Sequence, residues 1–228
     1  MSGSDRATTL AEGYTRSHRV YEWMGLALAG LCLVGATMRV LAIEATALVW
    51  LGALALAMAF ADLVSGLAHW AFDTWGGLDT PVLGKLAIRT FRHHHVDPKA
   101  ITRHDFVETN GHNAMLSVVL AAPVAHVGHA LPSFASLFLT FAAFFVAFTS
   151  QLHKWAHMEH PPRVVRWFQR AGLALSPEAH AVHHESPHEG AYCVTTGWMN
   201  VLLDRTCFFR CAERVISAVT GARPRASE

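Results

Sequence analysis

TNGHNAMLSVVLAAPVAHVGHALPSFASLFLTFAAFFVAFTSQLHKWAH, residues 109–157, decides the fold. Between Glu108 and Lys154 the chain carries no Asp, Glu, Lys or Arg. A bilayer core about 30 Å thick takes about 20 apolar helical residues. The run is too long for one span and suits two. Leu131-Pro132-Ser133 divides it, which predicts spans over about 113–130 and 134–152. Upstream, apolar windows predict two more, over about 20–40 and 45–72, with Arg39 able to snorkel at the end of the first. The expected fold is an all-α integral membrane protein with four transmembrane helices. Residues 1–19 read as a polar tail and 20–228 as one membrane-embedded domain.

Composition agrees with that reading. Of 228 residues, 52% are hydrophobic and only 15% charged, against roughly 25% charged in a soluble domain. The net charge of +1 gives no electrostatic footprint for nucleic acid. The four cysteines, Cys32, Cys193, Cys207 and Cys211, form no redox or zinc pattern and read as reduced thiols. No cleavable leader is expected, because the first 19 residues are polar and no small-residue cleavage site follows the first apolar run.

Basic residues set the expected orientation. Arg6, Arg16 and Arg19 precede the first span. Lys85, Arg89, Arg92, Lys99 and Arg103 lie between the second and third, and Lys154, Arg163, Arg166 and Arg170 follow the fourth. The opposite turns hold only Arg39 and Glu44. Both termini and the long loop are expected on the cytoplasmic side. Two segments there look amphipathic and able to lie in the interface. In 161–175, Val164, Val165, Phe168, Ala171 and Leu175 oppose Arg163, Arg166, Gln169 and Arg170. In 82–92, Val82, Leu83, Leu86 and Phe91 oppose Lys85, Arg89 and Arg92. Residues 200–219 read as one docked helix.

The chain has 16 histidines. His69, His93, His94, His95, His104, His112, His153, His157, His180, His183, His184 and His188 all map to the cytoplasmic side. Only His126 and His129 lie toward the other. His153 and His157 are an i,i+4 pair on one helix face. His180, His183 and His184 are expected to share a face, and His94-His95 form a third cluster. His69, Asp73 and Asp62 share a face of the second span, where ionisable groups are functional candidates by default. Neutral imidazole suits zinc, copper, iron and nickel. Eight or more histidines exceed the needs of one ion and point to two. There is no HExxH zincin motif and no carboxylate-rich ferritin-like pattern.

The chain resembles the plasmanylethanolamine desaturase family, within the wider membrane desaturases and hydroxylases. The residues that carry the resemblance run from Asp62 through His69-Trp-Ala-Phe-Asp73 and Phe91-Arg-His-His94-His95 to Thr102-Arg-His104-Asp-Phe-Val-Glu108-Thr-Asn110. They continue in His153-Lys-Trp-Ala-His157, His180-Ala-Val-His183-His184-Glu-Ser-Pro-His188 and a terminal Gly221-Ala-Arg-Pro-Arg225. The resemblance implies a single lipid desaturase domain with two iron ions, using O2 as co-substrate. The activity it implies is formation of a cis vinyl ether in the O-alkyl chain of a 1-O-alkyl-2-acyl-glycerophosphoethanolamine, giving a plasmalogen.

Carried onto this chain, the ligands come from His69, His94, His95, His153, His157, His180, His183 and His184, with no catalytic group beyond them. Additional ligands or supporting groups come from Asp73, His104, His188, Asp62, Glu108 and Asn110. His93 and His112 stand where relatives carry acids, which argues against both as ligands. Asp62, Asp105 and Glu108 are expected to orient imidazoles. Arg92, Lys99 and Arg103 are expected to meet the phosphate headgroup.

No haem, flavin or iron–sulfur pattern is present in the sequence, so an external donor, a ferredoxin or a cytochrome b5-like protein, is implied. The preponderance of arginine over lysine points to a bacterial inner membrane; a eukaryotic chain would sit in the endoplasmic reticulum. The nearest rival is an acyl-phosphatidylglycerol desaturase, or a hydroxylase, of the same superfamily. A haem cytochrome or metal transporter would need histidines on both sides or polar groups along a path through the membrane.

Overall fold

A computed structural model describes Leu10 and residues 13–225. Residues 1–9, 11 and 12 of the expected tail, and 226–228, lie outside the described residues. Among the described residues there are helices and no strands. Four helices are long and apolar enough to cross a membrane: α1 (Arg16–Val40), α2 (Ala47–Thr74), α5 (Phe106–Val127, extended by a 3-10 turn to Ala130) and α6 (Ser133–His157). Shorter helices follow at the basic end. A π-turn (Gly84–Ile88) leads into α3 (Arg89–Val96), and α4 (Ala100–Arg103) precedes α5. After α6 come α7 (Arg163–Arg170), α8 (Pro177–Ala181), α9 (Trp198–Arg205) and α10 (Phe208–Thr220).

Every spanning helix runs beyond its expected limit at the same end of the bundle. α1 starts at Arg16 rather than 20, α5 at Phe106 rather than 113, α2 ends at Thr74 rather than 72, and α6 at His157 rather than 152. Hydropathy marks where apolar side chains stop. It does not mark where backbone hydrogen bonding stops. Asp105 caps α5 by accepting from the N–H groups of Val107 and Glu108, and also binds Arg19 of α1 at 2.5 and 2.8 Å. The Arg19 guanidinium holds the Asp105 carboxyl down to about 2.

The bundle order follows from small residues. α1 packs on α5, α5 on α6, and α6 on α2. α6 is the most enclosed of the four, burying Ala142, Ala143, Ala147 and Thr149. Without a hydrophobic drive between helices in lipid, close backbone approach supplies the contact. At the α1–α5 crossing, a Cβ on Gly25 would come within 2.5 Å of the Gly111 carbonyl. A Cβ on Gly111 would come within 2.3 Å of the Glu22 Cβ. The outward faces carry Leu31, Val34 and Met38 on α1, Leu48 and Leu51 on α2, Val119 on α5 and Phe144 on α6, all exposed. An apolar surface of this extent needs lipid as its solvent.

Two segments at this end differ from expectation. α7 turns Val165 and Gln169 inward, because the Gln169 amide donates to the Leu175 carbonyl at 3.0 Å. Val164, Trp167 and Phe168 face outward instead. The expected helix over 200–219 is two helices, broken where Cys207 adopts a left-handed conformation with φ 51°. The break lets Leu203 of α9 and Phe209 of α10 both reach Trp70, Tyr192 and Cys193 at the histidine end of α2. All four cysteines are free thiols.

Candidate metal centre

The eight expected histidines and Asp73 converge from four separate segments. They divide into two groups, each with its ligand atoms within 4.8 Å of one another. One group is His94, His153, His157, His180 and His184. The other is His69, Asp73, His95 and His183. The i,i+4 spacing keeps His153 and His157 together in the first group. Neighbouring His94 and His95 point to different groups because successive residues on a helix diverge by about 100°. His180, His183 and His184, expected on one face, split: His180 and His184 join the first group and His183 the second. α8 ends at Ala181, so the last two leave the helical track.

The first group has a geometry that hydrogen bonding cannot explain. His180 Nε2 meets His153 Nε2 at 2.8 Å, His157 Nε2 at 2.8 Å and His184 Nε2 at 3.0 Å. His94 Nε2 lies 3.1 Å from both His157 and His184 Nε2. One ring nitrogen offers a single lone pair or a single N–H, so it cannot serve three partners. A metal–nitrogen bond of about 2.0–2.1 Å would put adjacent ligand nitrogens about 2.9 Å apart at right angles, or about 3.3 Å apart in a tetrahedron. The spacings are those of nitrogens facing a shared cation.

In the second group Asp73 Oδ2 faces His95 Nε2 at 2.9 Å, His69 Nε2 at 3.3 Å and His183 Nε2 at 3.6 Å. His69 Nε2 and Asp73 Oδ1 are buried without a hydrogen bond, as atoms that await an ion would be. Backbone carbonyls orient these rings. His183 Nδ1 donates to Gly190 O at 2.8 Å and His69 Nδ1 to Tyr192 O at 3.2 Å, which leaves each Nε2 lone pair aimed into the group.

Of the residues expected to support the ligands, Asp73 joins the second group, His188 borders it, and Asp62, Asn110, His104 and Glu108 make their bonds elsewhere. Asp62 is fully buried, and its carboxylate accepts from the backbone N–H groups of Thr195, Thr196, Gly197 and Met199. It ties the segment after the last histidines to α2. Asn110 bridges α5 to α6 by donating to Gln151 Oε1 at 3.1 Å. His104 faces Glu108 at 3.4 Å, away from both groups. His188 Nδ1 donates to His183 O, and its ring lies 5.0 Å from that of His95. Lys99 pairs with Glu159 and Arg103 with Asp97, while Arg92 donates to Gly76 O. Sequence reasoning missed Glu22. It lies inside α1 with 1% exposure, bonded by Tyr14 at 2.6 Å and 3.5 Å from His112. An acid within a span was the signal that could have found it.

Burial pushes His183 and His184 down to about 3, and drives His94 and His180 well below the ordinary imidazole range. All four are neutral near pH 7, the state that can bind a metal. In the unfolded chain they titrate near 6.5. Between about pH 6.5 and 3 the unfolded chain therefore holds more protons, and the metal-free fold loses stability as pH falls through that window. Fully buried His183 alone contributes a slope of about 1.4 kcal/mol per pH unit there and none above it. Melting of metal-free protein in detergent should be flat from pH 8 to 7 and decline steadily below 6.5. A profile unchanged down to pH 4.5 would contradict the burial.

The lipid desaturase domain matches residues 58–227. The chain is 49% identical to the plasmanylethanolamine desaturase of Myxococcus xanthus over 181 residues, which cover 77% of this chain and 63% of that protein. It is 37% identical to plasmanylethanolamine desaturase 1 of Mus musculus over 236 residues, covering 97% of this chain and 86% of the mouse protein. It is also 38% identical to the chloroplastic fatty acid desaturase 4 of Arabidopsis thaliana, over 72% of this chain and 51% of that protein. The chain thus spans less than two thirds of the bacterial and plant relatives. No solved structure matches it significantly.

Proposed function

The chain belongs to the lipid desaturase family, and from that premise we propose that it is an oxygen-dependent di-iron desaturase that forms the vinyl ether of plasmalogens. Its substrate is a 1-O-alkyl-2-acyl-glycerophosphoethanolamine. The observation that carries the reading is the convergence of eight imidazoles and one carboxylate into two adjacent groups at the end of a lipid-facing bundle. This donor set, rich in neutral nitrogen and free of thiolate, fits iron. When bound, two irons supply the O2 activation that unactivated C–H bonds require and no side chain provides.

The chain's own residues do the rest. His94, His153, His157, His180 and His184 hold one ion, and His69, Asp73, His95 and His183 the other. The carbonyls of Gly190 and Tyr192 hold a proton on Nδ1 of His183 and His69, which keeps both Nε2 atoms available. Asp62 fastens the segment over the site and helps exclude water. The two reacting carbons give up two hydrogens, and a donor and the solvent give two electrons and two protons, so that one O2 leaves as two waters. The electrons come from a ferredoxin or cytochrome b5-like protein. The basic flank at this end of the bundle supports a cytoplasmic site in a bacterial inner membrane.

Expression in a host that contains 1-O-alkyl phospholipids tests the reading. Acid treatment of the lipid extract should release fatty aldehydes, and the purified protein should contain iron and show no Soret band. Absence of aldehyde from iron-loaded protein with a working donor would overturn it. An unsaturated acyl chain appearing in its place would assign the acyl-lipid activity.

A further inference from the structure

A polar cavity of about 260 Å3 opens beside the second ligand group, and Asp73 and His95 form part of its wall. Its other charged lining residues are Arg92, Arg210, Arg225, Glu189 and Glu213. The volume suits a small charged group rather than a lipid chain. Three arginines and three acidic residues are among its lining, a balance of charge that a zwitterion matches. All three carboxylates have partners in the wall. Asp73 faces the imidazoles, and buried Glu213 accepts from Trp70 Nε1 at 2.9 Å and Arg210 Nη1 at 2.6 Å. Glu189 stands half-exposed at the rim, 2.8 Å from Arg210 Nη2. The buried Arg210 Nε has no hydrogen-bond partner. The Arg225 backbone N–H donates to Thr74 O at 2.9 Å, which lays the terminal segment over the end of α2 and brings Arg225 to the wall.

Substrate chemistry limits where the headgroup can sit. In an ether phospholipid the two carbons nearest the ether oxygen are one glycerol unit from the phosphate. A phosphate subsite must therefore adjoin the ligand groups. A second, smaller cavity of about 80 Å3, lined by Glu22, Arg89, His104 and Glu108, shares no residue with either group. Lys99 and Arg103 do not line the first cavity.

We propose that the 260 Å3 cavity is the headgroup subsite. Arg92, Arg210 and Arg225 receive the phosphodiester through guanidinium forks, and Glu189 receives the ammonium of an ethanolamine head. The inference rests on the ether-lipid reading above and adds to it the groups that select the lipid.

The test uses full-length, iron-loaded protein and two readouts. The first is equilibrium dialysis of glycerophosphoethanolamine, with glycerophosphocholine and inorganic phosphate beside it. The second is kcat and KM on the ether lipid. In the wild type, glycerophosphoethanolamine should bind best. Arg225→Ala, and independently Arg210→Lys, should weaken its binding and raise KM at least tenfold, with kcat within about twofold and iron content unchanged. Glu189→Gln should erase the preference over glycerophosphocholine. Equal binding of inorganic phosphate, indifferent to Glu189→Gln, would make the cavity a free-phosphate site and overturn the assignment. Aldehyde formation with binding and KM unmoved in all three variants would also overturn it, while leaving the reaction intact. Arg225-dependent binding without aldehyde formation would support the subsite and sink the reaction.

Discussion

His180→Ala should abolish the vinyl-ether product and remove metal from the five-histidine group. Its Nε2 lies at the centre of that group, within 3.0 Å of the Nε2 atoms of His153, His157 and His184. His180 is only 2% exposed, and alanine at that position leaves the group with four donors. The activity loss should exceed about a hundredfold, the upper range seen when only a hydrogen-bond partner of a ligand is changed. Metal analysis of purified protein should show loss of about one ion per chain. His126→Ala is the control, since His126 is exposed on α5 toward the opposite end and its ring bonds the Ala122 carbonyl of its own helix. A His180→Ala protein with full metal content and activity would end the ligand assignment. Loss of activity in His126→Ala would undo the placement of the site at one end.

The second large effect should come from Asp62→Ala. Its Oδ1 accepts three backbone N–H groups and its Oδ2 a fourth, all from 195–199. Removing the carboxylate strands four backbone donors, two of them at buried Thr195 and Thr196, at an expected cost of about 3–5 kcal/mol. Asp62→Asn keeps one oxygen but turns an amide N–H toward the Met199 N–H, so it should fall between wild type and alanine. Thermal melting in detergent reads the order. Equal melting temperatures for all three proteins would show that the segment is held by something else. Metal content should fall with stability in this series, because the segment after His184 supplies the Gly190 and Tyr192 carbonyls that orient His183 and His69.

Asp62 also shows how far sequence reasoning reached. Its place inside a span marked it as important, and its i−7 spacing put it on the face of His69. That spacing suggested a partner for an imidazole. The carboxylate instead binds main-chain donors from a segment more than 130 residues away in sequence, and no periodicity carries that information. Glu22 is a similar case: the apolar window that marks α1 contains it, and only the packing of α1 on α5 brings it to Tyr14 and His112.

The sequence by itself determined the number of spans and singled out the eight histidines that the fold brings together. These are local properties: a run without charges demands lipid, and i,i+4 spacing aligns His153 with His157. Tertiary structure alone decided how the donors divide. Whether His94 faces the five-histidine group and His95 the Asp73 group depends on where α2, α3, α6 and α8 place their axes. It also decided that Arg210, Arg225 and Glu189 wall a cavity beside Asp73, where the bond of the Arg225 N–H to Thr74 O lays the terminal segment along the end of α2. Side-chain direction at a meeting of distant segments is set by packing, and packing is not written in any one stretch of the chain.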